Sequence, residues 1–173
     1  LIPEVSPAQY GVSVGLSGDG HTLAFGAPTK DSNVGAVFVY ERDPVTLEWD
    51  VVTFQTLVES VDISYQGLRL DLSVDGLTLV AFAYTADQTG GHLLVYKRTA
   101  RTEVSWILHS RLTPDTFQDQ MNAGYVACSM DGTRLIFNSS AWYNEELQNT
   151  GGIIVYNYQR SEEHTSELQS HSF

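Results

Sequence analysis

The sequence predicts an all-β chain: an arc of a β-propeller with about three four-stranded antiparallel blades. Three observations carry that prediction. An Asp-Gly pair recurs every 56 residues, as Asp19-Gly20, Asp75-Gly76 and Asp131-Gly132. The same columns return around each pair: Ser17, Ser73 and Ser129 before it, Leu23, Leu79 and Leu135 after it, then Phe25, Ala81 and Phe137. Each copy offers strand-like runs bounded by turn residues, and a repeat of this length with four strands is the signature of a propeller blade.

Alternation, apolar runs and turn residues place the strands of the first copy at about 12–17, 21–27, 36–41 and 49–57. In the first hairpin turn of each copy, the Gly after Asp supplies the positive φ that such a turn needs. The second strand is almost wholly apolar in copies one and two, as in Leu23-Ala24-Phe25-Gly26-Ala27, which suits burial on both faces between stacked blades. The closing strands 35–40, 91–96 and 151–156 also match. The third is displaced by four extra residues, which fall between Ala141 and Thr150, in a loop where insertion costs little. Trp49 and Trp106 open the outer strands and read as structural caps of the sheet edge. The blade repeats are thus 10–57, 58–112 and 113–159, with 1–9 as the end of a preceding blade.

The third copy is expected to reach its outer strand near residue 165, and no strand-like run stands there. From Arg160 the chain reads Arg-Ser-Glu-Glu-His-Thr-Ser-Glu-Leu-Gln-Ser, which resembles the in-frame translation of a common sequencing-library adapter over eleven consecutive codons. Residues 160–173 are therefore set aside as a non-native tail, and the third repeat stands one strand short. An arc leaves two apolar blade faces uncovered, so the chain is expected to associate.

The runs Tyr10-Gly11-Val12-Ser13-Val14, Phe25-Gly26-Ala27-Pro28 and Gly35-Ala36-Val37-Phe38-Val39-Tyr40 resemble the FG-GAP repeat of integrin α-subunit propellers and their microbial relatives. Copies two and three depart from it, with Phe82-Ala83-Tyr84 and Asn138-Ser139-Ser140 in place of Gly26-Ala27-Pro28. The resemblance implies a seven-bladed ring and an extracellular or cell-surface location. It also implies a non-catalytic adhesion or protein-interaction role. Calcium-binding members carry Asp-x-Asp-x-Asp-Gly-x-x-Asp in the first hairpin turn, because calcium takes six or more oxygens. Here each turn offers one carboxylate, so all three read as bare turns with no metal and no cofactor.

Composition narrows the functional classes. The 173 residues carry a net charge of −12, and nine Lys and Arg spread along the chain do not make a phosphate-binding surface, which argues against nucleic acid. No apolar run approaches the ~20 residues needed to cross a bilayer. Cys128 is the one cysteine; it sits in the column of Leu16 and Leu72 and reads as a small buried apolar side chain. His21, His92 and His109 fall in unrelated repeat positions without metal-ligand spacing, and no nucleophile elbow or phosphate-cradling glycine loop is present.

In an up-and-down blade the second connection and the crossover to the next blade emerge on one face. That face carries 28–34, 84–90 and 141–151, and by the FG-GAP resemblance it is the face that binds a protein or glycan ligand. The longest of these loops holds Trp142, Tyr143, Glu145 and Glu146, an aromatic pair beside two carboxylates that could anchor such a ligand or fold onto a neighbouring blade. Asn138 heads a glycosylation sequon, although its column predicts burial. The rival reading is a propeller that serves a secreted hydrolase, as an accessory domain or with a site at the central channel. A carboxylate-rich channel would favour it.

Overall fold

The computed structural model describes residues 8–59, 61–101, 103, 105–113, 124–139, 152–157 and 169–172. These form three four-stranded antiparallel sheets, each in sequential order, which is an arc of a propeller. The first sheet comprises β1 (Val14–Leu16), β2 (Thr22–Ala27), β3 (Ala36–Arg42) and β4 (Trp49–Leu57). The second comprises β5 (Ile63–Leu72), β6 (Thr78–Thr85), β7 (Gly91–Lys97) and β8 (Ile107–Leu112). The third comprises β9 (Val126–Cys128), β10 (Arg134–Ser139), β11 (Gly152–Asn157) and β12 (Gln169–Ser172).

The third sheet closes outside the 113–159 repeat. Its outermost strand is Gln169–Ser172, inside the stretch set aside as a tail, paired with β11 from Ile154↔Ser172 to Asn157↔Gln169. An unpaired sheet edge presents main-chain donors and acceptors that any extended segment can fill. The pairing is therefore indifferent to the adapter-like sequence on which the segment is set aside as non-native.

The recurrent Ser-x-Asp-Gly turn is one structure made three times. In each, the Ser hydroxyl donates to the Asp carboxylate at 2.6, 2.6 and 2.7 Å and accepts the backbone N–H five residues on at 2.9 Å. The same carboxylate oxygen accepts a second backbone N–H at 3.0–3.1 Å. Gly20, Gly76 and Gly132 follow at φ of 72°, 69° and 66°. One oxygen of each carboxylate is thus committed to its own turn. At Asp131 the bonds from Ser129 and Thr133 hold the carboxyl down to about 2.

Alternate residues of each strand face opposite neighbours, and stacking fills both sides. Ala24, Val37 and Val39 of the first sheet pack on Leu70, Leu79, Leu94 and Tyr96 of the second. On its other side the second sheet sends Val80, Phe82 and Leu93 against Leu135, Phe137 and Ile154 of the third. Phe82 and Phe137 stack there with centroids 5.4 Å apart. The first turns also touch: Gly18 N–H donates to Val74 O at 2.9 Å and Asp75 N–H to Met130 O at 3.0 Å.

The two end faces are covered to different degrees: on the first, Phe25, Phe38 and Tyr40 are buried at 7%, 1% and 2% in a cluster with Ala8 and Tyr10, and it is the β1 edge that is open. Val14 and Leu16 are 63% and 55% exposed, whereas Leu70 and Leu72 in the same columns are 7% and 4% exposed. On the far side Ile136 and Ile153 are 43% and 49% exposed, against 0% and 1% for Val80 and Leu93. The 173-residue chain is therefore expected to self-associate through the far face, where Ile136 and Ile153 stand exposed. Sedimentation velocity should show species beyond the monomer, reduced by Ile153→Lys; a monomer at every concentration would contradict this.

Candidate binding site at the inner-strand ends

The connections sort as the topology requires. Arg101, in the third connection of the second sheet, donates to Asp75 O at 2.6 Å and pairs with Asp19, so first and third connections share one face. On the opposite face the crossovers meet the second connections: Gln66 N–H donates to Val34 O and Ala86 N–H to Asp62 O, both at 3.0 Å. Buried Gln66 ties this crossover down. Its Nε2 donates to Leu57 O and to the Tyr96 hydroxyl at 3.2 and 2.8 Å, while its Oε1 accepts Glu59 N–H at 2.7 Å. Burial raises the Tyr96 hydroxyl above its usual pKa and keeps it a neutral acceptor.

The loops at 28–34 and 84–90 lie on this second face. In the first, Asp31, Ser32 and Asn33 take φ of 50°, 58° and 73°, a left-handed run closed by Gly35 N–H donating to Lys30 O at 2.9 Å. In the second, Asp87 accepts from Thr85 Oγ1 at 2.6 Å and Thr89 N–H at 3.1 Å. Between these loops and the crossover, the His92 ring nitrogen Nδ1 lies 2.8 Å from Thr113 Oγ1. Arg111 donates to Val61 O at 3.0 Å beside it. Burial, and then Arg111, holds the imidazole below its ordinary pKa. Trp142, Tyr143, Glu145 and Glu146 lie outside the described residues. Asn138 lies in β10, where its Oδ1 accepts Tyr125 N–H at 2.6 Å.

That bond leads to a group the sequence reading did not single out. β1, β5 and β9 are the first strands of their sheets, each at the sheet edge. Ser13 and Tyr125 immediately precede β1 and β9, and Arg69, one repeat from each, lies within β5 just past its bulge. The Ser13 hydroxyl donates to Gly67 O at 2.7 Å and closes the contact of sheets one and two. Between sheets two and three the Arg69 guanidinium lies over the Tyr125 ring, 5.4 Å from its centroid. Tyr125 as a residue is 73% exposed. The available signal was this column itself, in which an otherwise repetitive frame presents three different chemistries.

Two residues along, Asp71 accepts Leu72 N–H at 2.9 Å and Cys128 N–H at 2.7 Å, one on each carboxylate oxygen. It acts as a strut between first strands, and it is the one carboxylate among the described residues of β1, β5 and β9. Burial first, then Asp71 and Asp75, push the Cys128 thiol up to about 12. Only a trace of thiolate exists at pH 8, so iodoacetamide should label the native chain at a small fraction of the rate seen in urea. Equal rates in both states would contradict this environment. Among the described residues no group of three or more His, Cys, Asp or Glu is placed to hold a metal ion.

The fold and this site define the chain as part of a propeller with a polar and aromatic patch at the crossover end of its first strands. Comparison with known proteins agrees on the fold. The chain is similar to the periplasmic gluconolactonase PpgL of Pseudomonas aeruginosa, with a TM-score of 0.58 and 18% identity over 91% of this chain and 41% of that one. It is also similar to an endo-1,4-beta-xylanase from Bacteroides thetaiotaomicron, with a TM-score of 0.51 and 15% identity over 92% of this chain and 58% of that one. The chain thus spans less than two thirds of either neighbour. No protein-family model matches it, and no curated protein does.

Proposed function

We propose that the chain is the propeller part of a hydrolase that acts on saccharides or their derivatives, and that it binds ligand at the crossover end of its first strands. The observation that carries this reading is the structural likeness of nine-tenths of the chain to two proteins whose names are those of hydrolases. The exposed Tyr125 ring supports it, because a solvent-facing aromatic offers a rigid platform to an apolar sugar face. Asp71, committed on both oxygens to backbone donors, is a positioning residue in this account.

The test is calorimetric titration of the chain with a saccharide panel that includes glucose, gluconate and xylo-oligosaccharides. Saturable binding of at least one, lost in Tyr125→Ala, is expected. A blank panel would overturn the reading. It would return the choice to an extracellular adhesion or interaction module, which the FG-GAP-like residues at 10–14, 25–28 and 35–40 favour. In that case the ligand is a protein or glycan on the face bearing loops 28–34, 84–90 and 141–151.

A further inference from the structure

We propose that Arg69 and Tyr125 together bind the carboxylate form of an acidic sugar, Arg69 holding the carboxylate and Tyr125 stacking on the ring. The inference rests on the reading of the first-strand ends as the binding wall, and it adds the charge class of the ligand.

The guanidinium is short of acceptors. Nη1 donates to Leu68 O at 2.9 Å, whereas Nε is buried and has no hydrogen-bond partner. No carboxylate among the described residues lies within ion-pair distance of Arg69, although the chain carries 21 acidic residues. Arg98 pairs with Glu41 and Arg101 with Asp19. The nearby Asp71 spends its two oxygens on the N–H groups of Leu72 and Cys128. An arginine left with donors beside an exposed aromatic, in a chain of net charge −12, is a built recognition element for an anion brought from outside. Its planar fork suits a carboxylate, which accepts two parallel N–H bonds.

The ring supplies the second half. Tyr125 exposes 73% of its surface although it is a large aromatic, and the Arg69 guanidinium over it fixes where a charged substituent on a stacked ring would point. A ligand with both a sugar face and a carboxylate uses both groups; a neutral sugar or acetate uses one.

The experiment titrates the full chain with glucuronate, glucose and acetate by calorimetry. Glucuronate is expected to bind about tenfold or more tighter than glucose, the scale of one charge-assisted bidentate contact. Arg69→Met should remove that preference, and Arg69→Lys should restore only part of it, because an ammonium lacks the fork. Tyr125→Ala, at an exposed position, should weaken glucuronate and glucose alike and leave the denaturation midpoint unchanged. If Arg69→Met fails to fold, the Arg69→Lys and wild-type comparisons still decide. Equal binding of glucuronate and glucose, or a preference that survives Arg69→Met, overturns this inference alone. If none of the three probes binds while a neutral oligosaccharide does, the inference again fails alone. No binding of any saccharide overturns the binding wall as well.

Discussion

Replacing Arg98 by Met is expected to destabilise the chain by about 3 kcal/mol, the lower end of the loss seen when one partner of a buried ion pair is removed. Arg98 lies just beyond β7 with a fully buried side chain, and it fastens the second sheet to the first. Its Nη1 donates to Glu41 Oε1 at 2.6 Å, Nη2 to Thr22 Oγ1 at 2.7 Å and Nε to Gly76 O at 2.8 Å. Thr22 Oγ1 in turn donates to Glu41 Oε2 at 3.0 Å, and the Trp106 ring lies 4.8 Å below the guanidinium. Truncation strands a carboxylate, a hydroxyl and a carbonyl at once. The Glu41 side chain keeps 21% exposure, which places the expected cost at the lower end of that range.

The loss should depend on pH in a direction the geometry fixes. Burial raises the Glu41 carboxyl above its ordinary 4.5, against the pull of Arg98 and Thr22. Without Arg98 the carboxyl rises further. A raised folded-state pKa means that the folded state binds the proton more tightly. Its contribution is therefore fully present below the unfolded value of 4.5 and is lost as pH rises through the folded one. The gap between wild type and Arg98→Met in urea midpoint should shrink as pH falls from 7 toward 4.5. A gap independent of pH, or a loss under about 1 kcal/mol, would mean that the pair is solvated as a surface pair is.

Gly26→Ala is expected to cost about 3 kcal/mol or to prevent folding, at the severe end of overpacking. A Cβ at Gly26 would overlap the Gly67 carbonyl oxygen of the next sheet. That carbonyl cannot retreat easily: it accepts the Ser13 hydroxyl at 2.7 Å, and Gly67 itself sits at φ 83° with its own Cβ position 2.9 Å from Gly26 Cα. Gly20→Ala is the control. Gly20 has nothing within 4 Å and needs only its φ of 72°, so its loss should stay near 1 kcal/mol. Equal losses in the two variants would mean that the sheets do not approach at Gly26.

These residues show which parts of the molecule were legible in the sequence. The 56-residue period fixed the turns, because Ser, Asp and Gly act locally and need only each other. The strands of the first copy fell where alternation put them, from Thr22–Ala27 to Trp49–Leu57. The role of Gly26 was half visible: its column was clear, but its reason lies in Gly67 of another copy. The Arg98–Glu41 pair was invisible, since a charged residue beside a strand end usually faces water and no period links the two. The outer strand of the third sheet left no trace in the 56-residue period, because main-chain pairing at an edge needs no particular side chains. Arg69 and Tyr125 share a column, yet their juxtaposition depends on how two sheets stack, which no single column records.

Consecutive 56-residue repeats stack as blades with their first turns in contact, Gly18 N–H bonding Val74 O. A disulfide tests this stacking most directly. A Cβ built on Gly18 would lie 3.5 Å from Val74 Cβ, within the range that a disulfide spans. Gly18→Cys with Val74→Cys, in a Cys128→Ser background, should oxidise in air to a monomeric cross-linked chain with no titratable thiol and faster migration on a non-reducing gel. Two free thiols in the folded chain under the same conditions would contradict the stacking of the first two repeats.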